Sequence, residues 1–138
     1  MNEKILEMVA QHKEDSFFTY AEFTDETRAM AEKALKVILP EQYAEYLKAF
    51  GHGGVAGVEI LGMGCDGSVI FVDSTLRYRG YGLPENLIVV ENCDEWLYCV
   101  DCSNGAVVSW EIDGEVKPEF DCFDDFVISE YADAIENL

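Results

Sequence analysis

The side chains of this chain that could do chemistry are two histidines, five cysteines and a dense set of carboxylates. His12 and His52 lie far apart in sequence, and His52 sits in Gly51-His52-Gly53-Gly54, where shaping a turn fits better than catalysis. That glycine cluster leaves a predicted helix instead of opening one and has no lysine after it, so it cannot cradle phosphate as a P-loop does. Neither a G-x-S-x-G nucleophile elbow nor an H-E-x-x-H metal pair occurs. Cys99-Val100-Asp101-Cys102 has C-x2-C spacing. A structural zinc site would need a second ligand pair, which the sequence does not offer. A redox pair would sit at a helix start, whereas this one falls at a strand end. With Cys65, Cys93 and Cys122 the cysteines form an odd set, read as reduced structural thiols. Asp66-Gly67-Ser68 lacks the alternating ligands of a calcium loop. No catalytic residue, metal or cofactor is expected, and the chain is not read as an enzyme.

The carboxylates come in pairs: Asp94-Glu95, Asp124-Asp125 and Asp113-x-Glu115. Such pairs do acid–base work only where burial drives their pKa values apart. Turns and a helix exterior should instead leave them solvated. Their grouping is more informative than their pairing. Glu91, Asp94, Glu95, Asp101, Glu111, Asp113 and Glu115 lie on or between consecutive strands of one predicted meander, which brings sequence neighbours together. The candidate binding face is therefore Glu91, Asp94, Glu95, Trp96, Glu111, Asp113 and Glu115, an aromatic anchor within a charged rim. Trp110 is placed in the core, while Trp96 fits a core or a surface role about equally.

The elements that must position these residues are helices first, strands second and a helix last. Ile5, Leu6, Met8 and Val9 predict a short helix from Glu3 to His12. Phe17, Phe18, Tyr20 and Phe23 follow without clear period, as an irregular lid. Thr24 can cap a second helix with Thr27, Met30, Ala31, Ala34, Leu35 and Ile38 as one stripe, ending at Leu39 because the residue before Pro40 resists helix. Pro40 opens a third helix whose buried face is Tyr43, Tyr46, Leu47 and Phe50, with Gly51 at its exit. Val55 to Leu61 reads as a strand with Gly57 inside it, marking a bulge or a close backbone approach. Val69 to Val72 is a short apolar run, and Asp73-Ser74-Thr75 caps one helical turn through Tyr78. Leu87–Glu91, Trp96–Asp101 and Ala106–Ile112 are three meander strands, with Val108, Trp110 and Ile112 inward and Val107, Ser109 and Glu111 outward. A last helix from Phe123 buries Phe126, Val127, Tyr131, Ala134, Ile135 and Leu138, leaving Asp124, Asp125, Asp133 and Glu136 to solvent. This order predicts one α+β domain over 1–138, an antiparallel sheet of about four to six strands with helices packed against it. Residues 1–23 read as an N-terminal extension on a 24–138 core.

Charge narrows the partners. The chain has 28 acids against 9 bases, a formal net charge of -19. Residues 1–50 carry a net of -4 and residues 51–138 a net of -15. Nucleic acid and anionic membranes need Lys and Arg to neutralise phosphate, so neither fits as ligand. A solubilising acidic surface accounts for the acidity alone; a basic protein partner is the sharper reading. No apolar run reaches the ~18 residues of a membrane span. The start Met1-Asn2-Glu3-Lys4-Ile5-Leu6-Glu7 lacks a signal-peptide pattern, so a cytoplasmic setting is expected.

Leu39-Pro40-Glu41-Gln42-Tyr43-Ala44-Glu45-Tyr46-Leu47, then Phe50-Gly51-His52-Gly53-Gly54, then Val58-Glu59-Ile60-Leu61-Gly62, form a short helix, a glycine-rich exit and a strand closing on Leu-Gly. Together with Tyr98-Cys99-Val100-Asp101 and the Phe-rich last helix, this order resembles the SUKH superfamily, the Smi/Knr-like domains of yeast cell-wall regulators and many bacterial immunity proteins, over roughly residues 24–138. The resemblance implies an immunity protein that binds and blocks a cognate toxin domain, often a nuclease with a basic cleft, acting as a monomer or weak homodimer. The alternative it implies is a non-catalytic regulatory or scaffold module. The family carries no fixed binding positions to transfer, so the candidate face rests on charge and pattern alone.

Overall fold

Asn2 starts the first helix by accepting the backbone N–H groups of Lys4 and Ile5 on its side-chain oxygen, a cap that stabilises the otherwise unpaired first turn. The computed structural model describes residues 1–138 as α1 (Glu3–Gln11), β1 (Ser16–Phe18), α2 (Asp25–Leu35), α3 (Glu41–Phe50), β2 (Gly53–Val55), α4 (Ile70–Arg79), β3 (Leu87–Asn92), β4 (Leu97–Asp101), β5 (Val107–Trp110), β6 (Lys117–Phe120) and α5 (Phe123–Glu136), with one 3-10 turn at Lys13–Asp15. β1 and β2 form a two-stranded antiparallel sheet, and β3-β4-β5-β6 form a four-stranded antiparallel meander. The helices pack against these sheets around one apolar cluster, making a single α+β domain. Ile5, Met8 and Val9 belong to that cluster, and β1 pairs with β2, so the first 23 residues are woven into the core.

α3 follows its sequence closely. Pro40 precedes it, Tyr43, Tyr46, Leu47 and Phe50 are buried, and Gly51 leaves it at φ 75°. The Tyr43 hydroxyl donates to the Leu61 carbonyl, and the Tyr46 hydroxyl donates to the Gly53 carbonyl at 2.8 Å. Tyr46 also shares a hydrogen bond with the Tyr131 hydroxyl on α5. These buried phenols keep their polar tips paired, as burial demands.

Several expectations are corrected. The segment read as an irregular lid contains β1, whose pairing with β2 turns Phe18 inward onto Phe50, at 4.5 Å between ring centroids, and leaves Phe17 exposed. α2 stops at Leu35, not Leu39, because Lys36 adopts the left-handed conformation at φ 57°. Its buried face is Ala31 and Leu35, while Met30, Ala34 and Ile38 are exposed. The reason is polar: Glu32 accepts the Leu39 N–H at 2.8 Å, and Arg28 bonds the Leu39 carbonyl and Glu41, so this side of α2 holds the chain leading to α3.

Val55 to Leu61 is no bulged strand. Ala56 (φ 54°) and Gly57 (φ 88°) are consecutive left-handed residues, the geometry of a two-residue hairpin turn, and Ile60 bridges back to Gly53. The apolar run Val69–Val72 leads into α4, whose span Ile70–Arg79 is longer than the single turn expected from Asp73 through Tyr78. Val107 is buried like Val108, whereas Ile112 lies beyond β5 and is half exposed. Lys117–Phe120 is a fourth meander strand absent from the sequence reading; its Pro118 and flanking charges mark it as an edge. Ala134 and Ile135 are only partly buried and Leu138 is exposed, while Asp124 is half-buried and not on the solvent side. Burial, with the charge of Glu45 nearby, pushes its carboxyl upward.

The opposite edge, β3, is sealed by the chain itself. The Val89 N–H donates to the Thr75 hydroxyl of α4 at 3.0 Å, and the Val90 carbonyl accepts the Leu61 N–H at 2.8 Å. Thr75 is fully buried. Thr75→Val keeps the side-chain shape but orphans the Val89 N–H, and we expect it to cost about 1–3 kcal/mol. Urea unfolding should show a lower midpoint at constant slope; an unchanged midpoint would mean that the edge is not held this way.

Candidate protein-binding face

In a meander, alternate turns share one end of the sheet. Leu97 pairs with Trp110, which brings the β3–β4 turn and the β5–β6 connection together, while Asp101 goes to the other end opposite Leu87. The first turn is tightly specified. Asn92 accepts the Asp94 N–H on its side chain at 2.8 Å, Cys93 donates to the Trp96 carbonyl, and Asp94 takes φ 67°, which Asp tolerates better than most residues. In the second, Gly114 donates to the Glu111 carbonyl at 2.8 Å and Asp113 takes φ 64°.

Two adjoining hollows result, of about 310 and 210 Å³, sharing Trp96, Trp110 and Glu111 as their common wall. Trp110 is buried, 4% exposed, as expected for the core. Trp96 is 39% exposed and meets Tyr98 edge-on at 6.1 Å; Tyr98 in turn packs on Phe126 of α5 at 5.1 Å. The exposed indole is thus braced against the core, and an anchor held in place loses less freedom when a partner covers it.

The acids of this end are Asp94, Glu95, Glu111, Glu115 and Glu119, five carboxylates lining the hollows against the single ammonium of Lys117. None of them is in an ion pair, since the ion pairs of the fold involve Glu45, Glu32, Glu41 and Glu59. Glu119 accepts the Ser109 hydroxyl at 2.8 Å, which fixes one carboxylate inside the larger hollow.

The sequence-derived face is brought together in part. Asp94, Glu95, Trp96, Glu111 and Glu115 meet here. Asp113 is exposed in the same connection but lines neither hollow. Glu91 does not belong to the exposed face: it is 9% exposed. A bulge between Val89 and Glu91 sets Glu91 opposite Tyr98, and cross-strand partners share a face, so Glu91 points with Tyr98 toward α5. Lys117 and Glu119 were missed as lining residues because β6 was missed. Their alternation with Pro118 was the available signal.

Elsewhere the polar groups serve the fold. His52 accepts the Gly62 N–H on Nδ1 at 2.9 Å, and its Nε2 lies 3.4 Å from the Glu59 carboxylate, so the imidazole clamps the glycine exit to the Leu61-Gly62 turn. All five cysteines are free. Burial pushes the Cys99 thiol up to about 12; burial and then the Asp101 charge do the same for Cys102, the reverse of what a reactive C-x2-C pair needs. Burial works to raise the Asp101 carboxyl, yet hydrogen bonds from Ser103 and Asn86 outweigh it and hold the group below its ordinary value. No helix is long and apolar enough to cross a membrane.

The family model described as SMI1-KNR4 cell-wall (SUKH_5) matches residues 2–132, beginning well before the 24–138 stretch that carried the resemblance and taking in α1 and β1. The SMI1-KNR4 family is generally non-catalytic, and the chain belongs to it.

Proposed function

We propose that this chain is an immunity protein that binds and neutralises a cognate toxin domain, of a basic and nuclease-type kind, through the acidic end of its meander. The observation that carries the reading is the ring of five carboxylates, none of them ion-paired, around the braced, half-exposed Trp96. A nuclease cleft is built to hold phosphates, so a rigid polyanionic surface can occupy it. Long-range attraction would speed encounter and weaken with salt. Family membership fits this role. Five free thiols fit a reducing, cytoplasmic setting. The second reading, a regulatory or scaffold module, is favoured by the cell-wall description of the matching family.

The test is binding to the toxin-like domain encoded beside this chain, at low and high salt. Asp94→Lys, Glu95→Lys, Glu111→Lys and Glu115→Lys combined should weaken the complex about a hundredfold or more, with the far-ultraviolet circular dichroism unchanged. Asp113→Lys alone, outside the hollows, should cost only a few-fold. Equal affinity for the wild-type and fourfold variants would remove this end of the sheet as the interface. Failure to rescue cells from that domain would favour the regulatory reading.

A further inference from the structure

Behind the acidic end lies a cluster that the binding face does not use. Glu91 follows the bulge of β3, Cys93 stands two residues on in the turn, and Glu130 comes from α5. One ligand-capable atom from each lies within 4.8 Å of the others. Glu91 is 9% exposed, and its Oε1 is buried without any hydrogen-bond partner. No Lys, Arg or His forms an ion pair with either carboxylate. The surrounding groups that influence the cluster are Asp94 and the phenols of Tyr98 and Tyr131, none of which supplies positive charge. Carboxylates taken out of water must be neutralised by a proton, a basic partner or a metal ion. Here the protein supplies no basic partner.

We propose that Glu91, Cys93 and Glu130 form a site for one divalent transition-metal ion of the zinc class. The donor set selects the class: a thiolate disfavours Mg2+ and Ca2+, which take oxygen, whereas two carboxylates with a thiolate suit Zn2+ or Co2+. Three protein ligands leave one position for water, and the partial exposure of Cys93 and Glu130 opens the cluster to solvent. Tetrahedral metal–oxygen and metal–sulfur bonds of about 2.0–2.3 Å set ligand atoms roughly 3–4 Å apart, a spacing to which the part-exposed Glu130 side chain can adjust. The ion would join the β3–β4 turn, and with it Asp94 and Trp96, to α5. It is separate from the Cys99/Cys102 pair and does not depend on the identity of any toxin.

Chelator-treated full-length protein is titrated with Zn2+ by calorimetry in excess Mg2+, which occupies the loosely attractive acidic surface. One equivalent should bind, and Glu91→Gln, Cys93→Ser and Glu130→Gln should each weaken it at least about tenfold. These variants keep side-chain size, and thermal unfolding of the metal-free forms checks that each is folded. Co2+ should give a thiolate-to-metal charge-transfer band that Cys93→Ser abolishes and Cys102→Ser retains. Absence of one-to-one binding, or Zn2+ affinity and a Co2+ band unaltered by Cys93→Ser and Glu91→Gln, would overturn the site and leave Glu91 and Glu130 as a pair sharing a proton.

Discussion

Gly62→Ala should lower stability by about 3–5 kcal/mol, enough to remove much of the margin of an ordinary domain. A Cβ at this position would stand 1.7 Å from the Gly51 carbonyl oxygen and 2.9 Å from Leu47 Cδ2. That oxygen cannot retreat freely, because it accepts the Met63 N–H at 2.8 Å. The Gly62 N–H is itself held by His52 Nδ1. Relief would therefore separate the α3 exit from the Leu61–Met63 segment and break both hydrogen bonds. Gly57→Ala is the contrast: φ is 88°, but nothing lies within 4 Å of the added methyl, so only the left-handed backbone is penalised, by about 1 kcal/mol. Urea-unfolding midpoints measured side by side decide it, and two equal shifts would show that close approach is not the reason for glycine at 62.

The second large effect is on pH dependence. Burial first, then the hydrogen bond and charge of Glu130, push the Glu91 carboxyl from 4.5 to about 9 in the fold. The unfolded chain has the ordinary value. Between these two values the folded state holds a proton that the unfolded state has lost, so stability falls as pH rises. The contribution is complete below about pH 4.5 and is lost as pH climbs through about 9, with a slope of up to ~1.4 kcal/mol per pH unit. From pH 6 to 8.5 the metal-free wild-type protein should lose on the order of 10 °C in Tm. Glu91→Gln, neutral throughout and able to donate to Glu130, should flatten that slope and be the more stable protein at pH 8. The two proteins differ only at this position, so the difference between their curves isolates Glu91. Parallel Tm curves for the two would contradict the assignment.

How much of this could be read in advance depended on the local signal. α3 was legible because proline, an aromatic stripe at helical spacing and glycine all agree at Pro40–Gly51. β4 and β5 were legible from their apolar content. α4 was not, since Val69-Ile70-Phe71-Val72 is equally a strand or a buried helical turn until Thr75 is seen beneath the β3 edge. β6 was hidden by Pro118 and its charges, the devices that suit an edge strand. At the candidate face, the convergence of Asp94, Glu95, Glu111 and Glu115 followed from meander topology alone. Glu91 did not, because it shares the face of Tyr98 but lies where α5 covers that face, and the strand's own residue types do not mark where a helix crosses a sheet.

The link between Tyr46 and Tyr131 spans 85 residues, and α1 packs on α5 at the far end of the chain. A polypeptide still being synthesised cannot finish its own α3 corner until α5 has left the ribosome. Until then Tyr43 and Tyr46 have no cover from Phe123 and Tyr131. Whatever protects the nascent chain must do so until α5 has emerged, and the domain then folds as one event. For a protein whose proposed task is to meet a toxin, protection would begin only with folded domains, and the useful quantity in the cell is the stock of domains already folded rather than the rate of starting new chains.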